Sequence, residues 1–209
     1  MFKKIVGLAV LLVAGGTVSY ASTITLVGPD PNKTYQQTTN SPCVMGNPSC
    51  SNPAGFDFTT LAANPNSYDM ITSPTYTVSQ IVTLLGTNAF FVGVDINQTS
   101  VAQSLSYFAM KVNGNVVDLF NPASPASVPS SNNGNGYADY LLETFSLAGF
   151  AGTDTVQFVM DMPLANDGAE QFFLIGTTSN NPVPEPGTLL LLGSGLASAA
   201  GLIRRRSAR

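Results

Sequence analysis

Three segments of the sequence carry side-chain oxygens at a spacing that could bind a divalent cation. They are residues 95–98, residues 132–139, and Asp161 together with residues 166–170. Calcium takes roughly six to eight oxygen ligands from carboxylates, amides and backbone carbonyls, often beside a glycine that permits a sharp turn. The second segment is a loose match to such a loop, since it lacks the leading aspartates and the closing glutamate of an EF-hand.

These segments predict a calcium site, with calcium as the cofactor. A plainer explanation stays open, because Asn and Gly also form turns in which the side chain bonds its own backbone. Tyr137 and Tyr140, beside the second segment, could face a glycan or pack into the core. The predicted calcium ligands are Asp95, Asn97, Asn133, Asn135, Asp139 and Asp167.

The composition argues against the common catalytic systems. The chain has no histidine, which removes the usual general base and both the Ser-His-Asp and the Cys-His nucleophile systems. It has no tryptophan either, although sugar-processing clefts commonly use aromatic platforms. A carboxylate pair for glycoside hydrolysis stays open, because any two acidic residues could meet in the fold. We expect a protein that is not an enzyme.

The two cysteines predict a structural disulfide. Cys43 and Cys50 lie in a segment rich in Pro, Asn and Ser, and in an oxidising compartment two such cysteines pair. Two thiols without histidine make a poor zinc site, and the spacing is not that of a Cys-x-x-Cys redox motif. The disulfide would hold together a loop with few apolar residues.

One helix is predicted in the first half of the chain. Val78, Ile81, Val82 and Leu85 follow the i, i+3, i+4, i+7 spacing of a helical stripe, and Gly86 is placed to end the helix. We therefore predict a short helix at residues 77–85. The β-branched residues in this segment leave a strand as the alternative.

The rest of the chain between residues 22 and 182 is predicted to form strands and polar loops. Asn113-Gly114 lies between two apolar runs, which predicts a β-hairpin. Residues 28–76 read as irregular structure with one short strand at 56–60, and residues 121–135 read as a loop. The other predicted strands are residues 23–27, 90–96, 105–112, 116–120, 140–147, 155–162 and 170–177. The fold class is mainly β, and we predict a single antiparallel β-sandwich, jelly-roll-like, with one short helix.

The C-terminal end has a different composition from the body. Val183-Pro184-Glu185-Pro186-Gly187-Thr188 is followed by an apolar run at residues 189–203 and a basic tail at 204–209. Each proline favours an extended conformation for itself and the preceding residue, so Glu185 would be presented to a processing enzyme. As a helix the apolar run spans roughly 23 Å, less than a bilayer core of about 30 Å. It suits transient anchoring, with the arginines on the cytoplasmic side.

This tail resembles the PEP-CTERM sorting signal of bacterial exosortase substrates. The resemblance implies cleavage at or near Pro184, Glu185 and Pro186 by a membrane-embedded exosortase. It also implies that the body then leaves the membrane for the cell surface or the exopolysaccharide matrix. An ordinary C-terminal anchor and a buried core helix are the alternatives.

The N-terminal end predicts export. Lys3 and Lys4 precede an apolar core at residues 5–13, and Ser19-Tyr20-Ala21 supplies small residues for signal peptidase. We predict cleavage after Ala21; an N-terminal membrane anchor is the alternative. The domain organisation is therefore a signal peptide at 1–21, an exported β-sandwich domain at 22–182 and a sorting signal at 183–209.

The charge of the exported body restricts its partners. Lys33 and Lys111 stand against eleven acidic residues, which gives a net charge of −9. Such a field opposes binding to nucleic acid or to anionic lipid. Signal peptidase and exosortase are the expected processing partners, and exopolysaccharide is a compatible binding partner. We expect a non-enzymatic surface or matrix protein; a calcium-dependent glycan-binding module and a matrix glycan hydrolase are the alternatives.

Overall fold

The computed structural model describes residues 21–62, 67–97, 103–132, 136–165 and 168–177. The predicted signal peptide, apart from Ala21, and the whole predicted sorting signal lie outside the described residues. The described part is mainly β, and its helix α1 spans Val78–Leu85. Its strands are β1 Ser22–Thr23, β2 Thr25–Val27, β3 Cys43–Gly46, β4 Thr59–Thr60, β5 Tyr68–Thr72, β6 Tyr76–Thr77, β7 Ala89–Asp95, β8 Gln103–Leu105, β9 Tyr107–Val112, β10 Asn115–Phe120, β11 Ala126–Val128, β12 Tyr140–Ser146, β13 Thr155–Met162 and β14 Gln171–Gly176.

Two six-stranded sheets contain most of these strands. The β9 sheet has the order β1-β10-β9-β13-β5, with β6 also paired to β13. The β7 sheet has the order β2-β12-β7-β14-β3-β4, and β8 and β11 form a separate pair. Most neighbours are antiparallel, as predicted, but β1 with β10 and β3 with β4 are parallel. Among the described residues, neither sheet closes on itself.

Aromatic side chains from both sheets meet in one core. Phe108 of β9 stacks on Phe172 of β14 with ring centroids 5.5 Å apart. Phe158 of β13 meets Phe90 of β7 edge-on at 6.2 Å, and Phe145 of β12 lies against both Phe90 and Phe108. All five rings are buried. Since offset and edge-on pairs add about 0.5–1.5 kcal/mol each beyond their buried area, these rings hold the two sheets together.

The local signals in the sequence are confirmed where they were strongest. Helix α1 begins after Thr77, whose hydroxyl accepts the N–H of Gln80 in a capping box, and ends at Gly86 in the left-handed conformation. Asn113 and Gly114, both with positive φ, form the turn between β9 and β10. Gly tolerates such angles because it has no Cβ, and Asn is among the few other residues that adopt them.

The structure has more strands than the sequence predicts. β3 and β5 lie in the region that reads as irregular, and β11 lies in the predicted loop 121–135. The predicted strand 23–27 is two strands, because the chain passes from the β9 sheet to the β7 sheet at the buried Ile24. The predicted strand 105–112 is likewise interrupted, since Ser106 separates β8 from β9.

The predicted disulfide is confirmed. Cys43 and Cys50 are joined, with their Cα atoms 6.1 Å apart. A Cβ on Gly46 would lie 2.5 Å from the Cys50 sulfur, so only glycine fits beneath the bridge. The disulfide therefore packs directly on β3 and ties the following loop to the β7 sheet.

No helix among the described residues is long and apolar enough to cross a membrane. The apolar run at residues 189–203 lies outside the described residues.

Candidate functional site

Three buried carboxylates surround the end of β7. Asp95 is the last residue of β7, Asp139 directly precedes β12, and Glu170 directly precedes β14. β12 and β14 flank β7 on either side and run antiparallel to it, so the end of β7 meets the beginnings of both neighbours. All three side chains are 0 % exposed. We call Asp95, Asp139 and Glu170 the carboxylate cluster.

Asp139 is fully hydrogen-bonded. Its Oδ2 accepts the backbone N–H of Ile96 at 2.7 Å. Its Oδ1 accepts the Ser131 N–H at 2.5 Å, the Ser131 hydroxyl at 2.7 Å and the Asn132 N–H at 3.0 Å. A carboxylate with this many donors fixes backbone segments to one another. Asp139 therefore joins the segment around residue 131 to the end of β7.

Asp95 is only partly hydrogen-bonded. Its Oδ2 accepts the Gly136 N–H at 3.1 Å and a long contact from the Asn97 amide at 3.4 Å. Its Oδ1 is buried and has no hydrogen-bond partner. Burial, followed by the charge of Asp139, raises the pKa of Asp95 to about 7, and Lys33 opposes this only weakly. Burying an oxygen without a hydrogen-bond donor destabilises the folded protein. The Oδ1 atom of Asp95 can therefore bind a proton or a cation.

Glu170 holds the other side of the cluster. Its Oε2 accepts the Asn97 N–H, and its Oε1 accepts the Gln103 amide N–H. Burial raises the pKa of Glu170 to about 8, and the charges of Asp95 and Asp139 add to the effect. Mutual repulsion among the three carboxylates is therefore part of the electrostatics of this site.

Amide oxygens near the cluster also lack donors. Gln103 is 0 % exposed, and while its amide N–H₂ donates to Glu170, its Oε1 has no partner. The Asn132 amide donates to the carbonyls of Tyr137 and Ala138, and its Oδ1 likewise has no partner. Oxygen acceptors without donors are the groups that a bound cation would satisfy.

The structure brings together half of the predicted calcium ligands. Asp95, Asn97 and Asp139 meet at the end of β7, as the hydrogen bonds above show. Asn133, Asn135 and Asp167 lie outside the described residues. Asp161 lies apart from the cluster, on β13 of the β9 sheet, where its carboxylate accepts the Ser106 hydroxyl.

Glu170 and Gln103 are not among the ligands predicted from the sequence. A usable signal existed for Glu170, because it closes the third oxygen-rich segment and begins a predicted strand. Gln103 had no comparable signal. Among the described residues, no three Asp, Glu, Cys or His side chains form a group that could hold a metal ion by themselves. Any cation here would need amide or backbone oxygens as well.

The two tyrosines near the cluster do not form an open stacking platform. Tyr140 is 5 % exposed and its hydroxyl donates to the Pro129 carbonyl at 3.1 Å. The Tyr137 ring lies under the Lys33 ammonium, 5.3 Å from the ring centroid. Tyr140 is thus a core residue, and a cation already occupies one approach to Tyr137.

A groove of about 490 Å³ lies between the exposed side of α1 and residues 53–56. Its lining contains no acidic, basic or thiol side chain. The polar side chains of the lining are the hydroxyls of Ser79 and Thr83 and the amide of Gln80.

The comparisons identify one part of the chain. The family model described as the PEP-CTERM protein-sorting motif matches residues 182–206. The chain carries a PEP-CTERM sorting motif. No curated protein and no solved structure matches the chain. The motif indicates an exported, surface-sorted protein that is processed by an exosortase, and it confirms the resemblance drawn from Pro184-Glu185-Pro186 and the segment that follows.

Proposed function

We propose that this chain is a non-enzymatic exosortase substrate whose body, residues 22–182, is a single β-sandwich domain delivered to the cell surface or the exopolysaccharide matrix. The observation that carries the proposal is the PEP-CTERM motif at residues 182–206. The disulfide supports it, since disulfides persist in exported proteins. Two sheets that share one aromatic core support the sandwich architecture.

The sorting step is tested by changing the motif alone. We would replace Pro184, Glu185 and Pro186 together by alanine and follow the protein by cell fractionation. The variant should stay in the membrane fraction, while the unchanged protein reaches the surface. A matched control replaces Pro122, Pro125 and Pro129, which lie in the body, and should still be sorted. Normal surface delivery of the motif variant would refute the proposal.

A second candidate function is calcium binding at the carboxylate cluster. The specific observation is the buried Asp95 Oδ1 without a partner, beside two further carboxylates and the unpartnered Gln103 Oε1. Calcium binds such oxygens and would offset the repulsion among the carboxylates. This candidate leaves the sorting proposal unchanged and would make the body a calcium-stabilised domain.

Calcium binding is tested by thermal unfolding of the exported protein in EDTA and in millimolar calcium. A site filled to 100 times its dissociation constant stabilises by about 2.7 kcal/mol. Asp95→Asn should lose the calcium response. Asp69→Asn removes the same charge at an exposed residue of β5 and should keep it. Equal melting temperatures with and without calcium would overturn the candidate.

A calcium-dependent glycan-binding module is the finer form of this candidate. Retention of the protein on the cell's own exopolysaccharide, lost in EDTA and in Asp95→Asn, would support it. A matrix glycan hydrolase is the remaining alternative. It requires an activity on that polysaccharide that disappears when a single carboxylate is replaced and the fold is kept.

A further inference from the structure

Asp118 is a buried carboxylate that does not belong to the carboxylate cluster. It lies on β10, between the edge strand β1 and β9, and is 5 % exposed. Its Oδ1 accepts the Ser22 hydroxyl, and its Oδ2 accepts the Ser146 N–H at a long 3.4 Å. Neither donor carries a charge. A buried carboxylate without a cation is unfavourable, so Asp118 is poorly compensated in the uncleaved chain.

The charged groups on the strands that contact Asp118 do not compensate it. These are Lys111 of β9 and Glu143 of β12. Asp118 is paired with Met110, so Lys111 is on the opposite face of β9. Burial raises the pKa of Asp118, and only the hydrogen bonds from Ser22 and Ser146 oppose this.

The residue that caps Asp118 is also the first residue after the predicted signal-peptide cleavage. Ser22 pairs with Asp118 in the parallel ladder between β1 and β10. Within one serine the backbone nitrogen lies roughly 3–4 Å from the hydroxyl oxygen, and the Ser22 hydroxyl is already hydrogen-bonded to the Asp118 carboxylate. The Ser22 nitrogen therefore lies at most roughly 7 Å from the Asp118 oxygen that accepts this hydroxyl.

We propose that signal-peptide removal completes an ion pair at this place. Signal peptidase adds water across the Ala21–Ser22 peptide bond, which leaves a carboxylate on Ala21 and an ammonium group on Ser22. The new ammonium group binds the Asp118 carboxylate and locks β1 onto the edge of the β9 sheet. Maturation thereby supplies a cation that the body otherwise lacks here. The inference rests on export and on cleavage after Ala21; it does not depend on the exosortase step.

The test measures the ionisation of the α-amino group of the exported protein, after mass spectrometry has shown which residue is first. The rate of N-terminal acylation is followed as a function of pH. An α-amino group ordinarily has a pKa of about 7.7–8.0, and an adjacent carboxylate stabilises the ammonium form. We expect the pKa of the Ser22 α-amino group to be raised by about one unit. N-terminal acylation near pH 8 should then be several-fold slower than for an ordinary α-amino group.

Matched variants separate the ion pair from other effects. Asp118→Asn should return the α-amino pKa to its ordinary range, whereas Asp69→Asn should leave it raised. If Asp118→Asn does not fold, inserting one alanine after Ala21 moves the ammonium group away from Asp118 and should have the same effect on the pKa. An unchanged α-amino pKa in these variants would overturn the proposal. A native N-terminus other than Ser22 would also overturn it, while leaving the C-terminal sorting claim intact.

Discussion

Asp95→Asn should stabilise the exported protein at alkaline pH when calcium is absent. Burial and the charge of Asp139 raise the pKa of Asp95 from 3.8 to about 7. The folded protein therefore binds this proton more tightly than the unfolded chain does. The resulting stability is fully present below about pH 4 and is lost as the pH rises toward about 7. Above that pH the wild-type protein carries a buried charge that the asparagine variant lacks.

The size of the effect follows from the pKa. A change from 3.8 to about 7 corresponds to an upper limit of about 4 kcal/mol, at about 1.36 kcal/mol per pH unit. The charge of Asp95 is one of the causes that raise the pKa of Glu170, so the titrations of these two groups are coupled. Part of the energy is therefore shared, and we expect about 2–3 kcal/mol from Asp95→Asn at pH 8.

Urea unfolding at pH 5 and pH 8 in EDTA measures this directly. The wild-type protein should lose stability between the two pH values, and Asp95→Asn should lose less. Asp69→Asn, with the same change of charge at an exposed position, should follow the wild type. Parallel pH profiles for wild type and Asp95→Asn would contradict this prediction. They would show that the folded protein does not raise the pKa of the Asp95 carboxylate.

Three further predictions concern packing and the loops that the cluster anchors. Phe158→Ala should destabilise by about 3–5 kcal/mol in urea unfolding, because its ring touches Phe90, Phe108 and Phe145 in the shared core; a loss below 1 kcal/mol would contradict that packing. Gly46→Ala should destabilise by about 1–3 kcal/mol, since the new Cβ would lie 2.5 Å from the Cys50 sulfur, and wild-type stability would show that the bridge is not packed on β3. Asp139→Ala should increase hydrogen exchange at the N–H groups of Ile96 and Ser131, which its carboxylate accepts, while unchanged exchange there would contradict the anchoring role.

Local sequence signals predicted the elements that depend on local physics. The stripe of Val78, Ile81 and Leu85 is buried as the helical spacing requires, and Gly86 ends the helix in a conformation that suits glycine. Asn113-Gly114 forms the predicted turn. In each case a few adjacent residues determine the backbone conformation, and tertiary contacts reinforce it.

Elements that depend on distant partners were missed. β3 is only four residues long and buried on both faces, so it has no alternation of apolar and polar residues to reveal it. β5 contains the exposed Asp69 and Met70, and Met70 has a positive φ. Both strands exist because they pair with β14 and β13, a pairing that no nearby residue specifies.

Only part of the carboxylate cluster could be predicted from the sequence. Oxygen-rich segments are visible in the sequence, and Asp95, Asn97 and Asp139 were selected from them. Glu170 lies beside them because β12 and β14 flank β7. This strand order cannot be read from the local sequence. Gln103 enters from β8, and its role depends on an amide that reaches Glu170 across the fold.

Mass spectrometry of the native surface protein would determine both processing sites. We expect an N-terminus at Ser22 and a C-terminus at or near residues 184–186, with residues 189–209 absent. Those boundaries would show export and exosortase processing in one measurement. A surface protein that still contains residues 189–209 would rule out exosortase processing, because the apolar run would then be a permanent anchor.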